Sequence, residues 1–367
     1  MRTARGSHVA VAAIGLVLVA ACADDPETET GGADETVDAE SWEPEFVDGE
    51  LQPLPDGFPE REITIVSVDE AGSRDGIYAR TLDEALEGIS PVDIIVSDEP
   101  RAAGGTMHTL ADVLNREGGT DGYFPIVAAI PGTIMDFHVE PVEEETGLTP
   151  DDVKYFIATE THPWVLAQRS DAEWGPSFDA FVEYAREHPG ELRYIAGGVG
   201  SGVDIAMEWL LSELEIEVEK VPAADRDAAM AAVGAGEGDI TLTQPQVAVS
   251  AADRVDVTFV TTPEVPEIWA DNPDVASSAN YPDYDIPHID WGTVQGLMIP
   301  AEVSDLHTRW LYTLFEAAVD TDVYQARTET NAGMEIRVYT TEESQEIART
   351  TLDFSEPIIR EIGLFHD

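Results

Sequence analysis

Apolar positions along this chain alternate between two spacings. Short apolar runs over 63–68, 92–96, 123–130, 165–168, 192–196, 216–221 and 240–243 read as buried strands. Between them, 77–86, 106–115, 178–187, 203–214 and 226–233 place apolar residues every three or four positions, the spacing of a helix with one buried face. The C-terminal part adds strands over 296–299 and 335–339 and helices over 304–318, 322–330 and 341–362. Strands and helices in steady alternation predict an α/β architecture with parallel sheets.

Two of these units carry chemistry. The strand at 192–196 runs into Gly197 to Gly202, and Val203 opens a helix. The strand at 63–68 is followed by Ala71, Gly72, Ser73, Arg74 and Asp75 before its helix. The first N–H groups of a helix lack intrahelical partners, and its dipole end is positive, so strand, glycine turn and helix together aim donors at an anion. Two such units facing each other predict a cleft for a small anionic solute. The candidate ligand residues are Gly72, Ser73, Arg74 and Asp75 on one side and Gly198, Val199, Gly200, Ser201, Gly202, Val203 and Asp204 on the other. Ser73 and Ser201 serve as helix N-caps, as solute contacts, or as both. Arg74 either pairs a ligand carboxylate or answers Asp69 and Glu70, while Asp75 and Asp204 fall in first helical turns, where acids are favoured. Gln244 lies just beyond a strand end that faces the cleft, and Trp291 is either a cleft wall or a core residue.

The N-terminus changes the picture. Arg2 and Arg5 precede an apolar segment over 9–21 that is short for a membrane span. It ends Val19-Ala20-Ala21-Cys22, which resembles the lipobox of bacterial lipoproteins. That resemblance implies removal of residues 1–21 and a diacylglyceryl chain on Cys22, the only cysteine in the protein. Residues 22–54 are acidic, lack apolar periodicity, and contain no Lys or Arg, which predicts a disordered tether.

Charge then excludes a class of partner. The chain has 74 acidic and 19 basic residues, a formal net charge of −55, so nucleic-acid binding lacks the clustered cations it needs. Enzyme signatures are missing too. Val199-Gly200-Ser201-Gly202-Val203 is not a Gly-x-Ser-x-Gly elbow, no histidine pair has zinc spacing, and no Gly-Lys-Ser/Thr phosphate loop occurs. No catalytic residue, metal or cofactor is expected.

Six motifs in order resemble one family. They are Pro59-Glu60-Arg61-Glu62-Ile63-Thr64-Ile65; Gly72 to Asp75 with Ala79-Arg80-Thr81-Leu82; Pro100 to Gly105; Asp121-Gly122-Tyr123; His188-Pro189-Gly190 leading to Tyr194; and Gly236 to Ile240. The chain resembles the extracytoplasmic solute receptors of tripartite tricarboxylate transporters, the Bug receptors, over about 310 residues. It departs from them at Asp69-Glu70-Ala71, at Asp204 where histidine is common, and at Pro222-Ala223-Ala224-Asp225. The resemblance implies a type II periplasmic-binding-protein fold of two α/β lobes closing over a ligand cleft, with crossings near 159–164 and 260–263. Lobe 1 would comprise 55–160 and 262–367, and lobe 2 would comprise 161–261. It further implies a monomeric, lipid-anchored receptor at the outer face of the cell membrane, passing a small carboxylate or zwitterionic solute to a separate permease. A lipid-anchored sensor or scavenging receptor uncoupled from transport is the alternative, and an enzyme on an α/β scaffold a more distant one.

Overall fold

The apolar runs become strands of two separate sheets. The computed structural model describes residues 39, 41–69, 71–99, 105–282, 292–361 and 363–366. The signal segment, Cys22 and Trp291 lie outside the described residues. In chain order the strands are β1 Phe46–Val47, β2 Glu50–Leu51, β3 Ile63–Ser67, β4 Ile94–Asp98, β5 Ile126–Ile130, β6 Val153–Pro163 and β7 Val165–Arg169. Then follow β8 Arg193–Gly197, β9 Glu219–Ala223, β10 Ile240–Thr243, β11 Val255–Val260, β12 Ala276–Ser277, β13 Gly292–Pro300 and β14 Glu335–Tyr339. Strands β1 and β2 form a small hairpin inside the stretch expected to be a disordered tether. Trp42, Leu51 and Leu54 are buried in the apolar cluster of the first sheet. The expectation of disorder over 22–54 therefore fails from residue 41 onward, because these few apolar side chains find a core to enter.

The first large sheet has the order β14-β6-β13-β5-β3-β4 and the second β12-β11-β7-β10-β8-β9. In each sheet three neighbours are parallel and joined by helices: β4, β3 and β5 in the first, β9, β8 and β10 in the second. Parallel neighbours require such crossovers. The remaining large strands pair antiparallel, except β12, which runs parallel to β11.

Each sheet is covered on both faces by apolar side chains. Phe156, Trp310 and Phe315 belong to a cluster on the first sheet, and Phe178, Phe181 and Phe259 to one on the second. Burying one such ring contributes about 1.5–3 kcal/mol. Trp310 keeps its polar end satisfied by donating from Nε1 to the Gln52 carbonyl at 2.9 Å.

One residue separates β6 from β7, so the chain passes directly between the sheets at Trp164. Trp164 N–H donates to Thr261 Oγ1 at 3.0 Å, and Thr261 N–H donates to the Trp164 carbonyl at 3.0 Å. The end of β11 is thereby fastened to the junction. Ala276 and Ser277 still pair with β11, so the second sheet receives chain beyond residue 261, further than the sequence reading placed it. The helix Thr341–Glu361 packs on β6, while its Ile358 and Ile359 join the apolar cluster of the second sheet.

The sequence reading contained no strand over 153–163 or 255–260. β6 hides its strand character because four consecutive buried positions, Thr159, Glu160, Thr161 and His162, are polar. The expected helix over 322–330 is two short helices, Asp322–Gln325 and Arg327–Thr330, and the latter turn places Arg327 against Glu160.

Candidate functional site

Ligands in open α/β sheets bind beyond the carboxyl ends of the parallel strands. Here those ends from both sheets border one cavity of about 780 Å³. β3 is followed by Asp69, Arg74 and Asp75, β4 by Thr106, and β5 by Pro131, Gly132 and Thr133. On the opposite side β8 is followed by Gly200, Ser201, Gly202 and Val203, β9 by Arg226, and β10 by Gln244 and Gln246.

The loop after β8 is built around a buried acid. Gly198 and Gly200 have φ of +108° and +80°, a region that favours glycine. The Asp204 carboxylate accepts from Gly200 N–H at 2.8 Å, the Tyr194 hydroxyl at 3.2 Å and Lys220 Nζ at 2.7 Å. Lys220 also pairs with Glu208 at 2.9 Å. Burial lowers the Lys220 pKa, but its hydrogen bonds to Asp204 and Glu208 outweigh that and hold it above its ordinary value. Asp204 therefore lies behind the loop with its charge answered, and is not in the cavity lining.

Ser201 caps the helix Gly202–Glu213 by accepting from Asp204 N–H at 3.4 Å, and it also lines the cavity. Gly202 and Val203, in the first helical turn, present N–H groups without an intrahelical acceptor. Gly198 and Val199 sit outside the lining.

The facing loop is simpler. Ser73 caps the helix Arg74–Ala85 by accepting from Gly76 N–H at 3.0 Å, and neither Ser73 nor Gly72 reaches the lining. Arg74 and Asp75 do reach it, paired with each other at 3.3 Å. Gln244 lines the cavity, and its Oε1 accepts from Gln246 Nε2 at 3.0 Å. Its own Nε2 is buried without a partner among the described residues. The cavity thus gathers Arg74, Asp75, Gly200, Ser201, Gly202, Val203 and Gln244 from the residues the sequence singled out.

Two cations escaped the sequence reading. Arg327 lines the cavity with its guanidinium donating to the fully buried Glu160 at 2.6 and 2.8 Å. Arg226 opens the helix Arg226–Gly234, capped by Asp225. A Cβ on Gly197 would stand 2.7 Å from Arg226 Cα, so that glycine lets the helix start close against β8. Arg226 Nε is buried with no hydrogen-bond partner among the described residues. Burial lowers the Arg226 pKa from its ordinary value, the nearby Arg74 charge lowers it further, and Asp227 opposes both. The sequence did hold a signal for it: an arginine at the first position of a helix, where the dipole disfavours a cation.

Among the described residues no three His, Cys, Asp or Glu side chains gather to hold a metal ion, and no helix is long and apolar enough to cross a membrane.

A model of the tripartite tricarboxylate transporter family receptor matches residues 78–364. The chain belongs to that receptor family. It is accordingly a solute-binding receptor and not an enzyme. A UPF0065 protein of Bordetella pertussis is 23% identical over 201 residues, which span 54% of this receptor and 60% of that relative. A second UPF0065 protein, from a Pseudomonas species, is 24% identical over 241 residues, covering 63% of this receptor and 67% of its own length. A TctC solute-binding protein from Polaromonas has the same fold, with a TM-score of 0.70 at 18% identity over 83% of this chain and 99% of that one. An R. palustris protein with adipate gives 0.61 at 18% identity, over 83% and 98%. A Rhodopseudomonas palustris protein with bound malate gives 0.56 at 21%, over 82% and 100%. These likenesses establish two α/β lobes of the type II binding-protein kind.

Proposed function

We propose that this receptor stands at the outer face of the cell membrane, held by a lipid on Cys22, and captures a small carboxylate for delivery to a tripartite tricarboxylate-type permease. The observation that carries the reading is the meeting of two helix starts, at Arg74 and at Gly202, across one cavity lined from both sheets. Each helix of 12 residues directs its first N–H groups and its positive dipole end toward that space. A carboxylate between them satisfies donors from both sides only when the lobes are closed, which couples binding to closure about Trp164. The adipate and malate in the two related structures support a carboxylate as ligand class. The Asp204 carboxylate does not oppose it, because Lys220 and Gly200 already hold that group.

Native mass spectrometry of the membrane-extracted protein tests this reading in one preparation. The expected mass lacks residues 1–21, carries diacylglycerol on Cys22, and shows a retained or added organic acid. An unprocessed chain removes the anchor; failure to bind any carboxylate at millimolar concentration removes the ligand class.

A further inference from the structure

The cavity has an electrical asymmetry that backbone donors do not explain. On the wall from the first sheet each arginine already has a carboxylate: Arg74 faces Asp75 at 3.3 Å and Arg327 holds Glu160 at 2.6 Å. That wall also carries Asp69, Asp136 and Glu140. The wall from the second sheet carries no carboxylate at all among the described residues. It offers loop N–H groups, two glutamine amides and Arg226. Arg226 makes no ion pair among the described residues, and its Nε is enclosed without an acceptor. The amide Nε2 of Gln244, a residue only 6% exposed, is likewise enclosed and without an acceptor among the described residues, on the same wall. A half-buried guanidinium whose enclosed Nε has no acceptor, and a buried amide donor left unpaired, are costly, and a bound anion relieves both.

We infer that Arg226, with Gln244 lining the same wall, is a second anion anchor distinct from the loop at Gly202 and Val203, so that the solute carries two acidic groups. This rests on the carboxylate reading above and adds the residue that sets specificity within it. One carboxylate meets the loop N–H groups, and the other takes a charge-assisted bond from the Arg226 guanidinium, whose fork matches carboxylate geometry. An acid with a single carboxylate satisfies one anchor and leaves Arg226 unpaired. The receptor therefore distinguishes diacids from monoacids of equal length through one side chain.

Calorimetry on the mature chain tests this with adipate against hexanoate and succinate against butyrate, for the parent, Arg226→Gln and Arg226→Lys. The parent is expected to prefer at least one diacid over its matched monoacid by tenfold or more. Arg226→Gln should erase that preference by weakening the diacid alone, and Arg226→Lys, which keeps the charge, should restore part of it. The thermal midpoint of unliganded Arg226→Gln should equal or exceed the parent's, because no ion pair is lost, and this shows that the variant folds. Equal weakening of diacid and monoacid would mean that Arg226 holds the only carboxylate, overturning the second anchor. An unchanged preference in Arg226→Gln overturns it as well while leaving the carboxylate reading intact. A parent that binds none of the four acids, and no other carboxylate, removes the reading itself.

Discussion

Glu160→Ala is expected to destabilise the receptor by about 3–5 kcal/mol, the usual cost of removing one partner from a buried ion pair. Glu160 is fully buried on β6, four residues before the junction at Trp164. Its carboxylate accepts from Arg327 Nε at 2.8 Å and Nη2 at 2.6 Å, with His162 Nε2 at 3.5 Å. The Arg327 guanidinium lies over the rings of Tyr78 at 5.4 Å and Tyr324 at 5.8 Å, and the two tyrosine hydroxyls are linked through Thr159 Oγ1. Without Glu160 this cation stays enclosed with no counter-charge. Glu160→Ala combined with Arg327→Met should recover part of the loss, because the orphan charge is gone. Urea unfolding measures both, and a loss below about 1 kcal/mol in the single variant would show that water or a neighbour replaces the carboxylate.

The same pair has a pH signature. Burial raises the Glu160 pKa, but the hydrogen bonds and charges of His162 and Arg327 outweigh it, leaving the carboxyl below its ordinary value. A depressed folded-state pKa contributes stability that is present above the unfolded value and is lost as pH falls through the folded one. The stability gap between the parent and Glu160→Ala should therefore narrow on acidification, not on making the solution alkaline.

Gly202→Pro is the second large effect, and it falls on binding. Gly202 is the first residue of its helix, a position where proline's fixed φ and missing N–H are tolerated. The preceding Ser201 is extended, at φ −71° and ψ 159°, as a residue before proline must be. A Cβ there would meet Met135 Cε at 3.1 Å, the far end of a flexible side chain. The fold should survive, with a melting temperature close to the parent's. Binding should weaken by about 1.5–3 kcal/mol, the value of a hydrogen bond to a charged group, or roughly ten- to hundredfold. Ser201→Ala, by contrast, loses a cap and should weaken affinity far less. A folded Gly202→Pro that binds like the parent would place the solute away from this loop.

Much of the fold was legible because local pattern and tertiary role agree in it. The run Ile63 to Ser67 is buried throughout, as its mainly apolar character demands, and the glycines after β8 form the turn expected of them, Gly198 and Gly200 at positive φ. β6 was illegible for a physical reason. Its buried Thr159, Glu160, Thr161 and His162 are made tolerable by Arg327, Tyr324 and Tyr339, side chains about 165 to 180 residues away in sequence. The site shows the same division. Loops that present backbone N–H groups announce themselves through glycine and a following helix. Arg226 does not, because its value comes from the carboxylate it lacks among the described residues, and a missing partner appears only once the neighbours are placed. Asp204 illustrates the converse. Its sequence position sets a carboxylate beside the anion loop, and only the fold brings Lys220 against it to answer that charge.

The account turns on whether the cavity between the two sheets holds the solute by its carboxylates. The most direct measurement is a crystal structure of the receptor grown with the diacid it binds most tightly. One carboxylate is expected within hydrogen-bond distance of the Gly202 and Val203 N–H groups and the other against the Arg226 guanidinium. A diacid seated elsewhere on the molecule, or lying in this cavity without touching either group, would contradict the account.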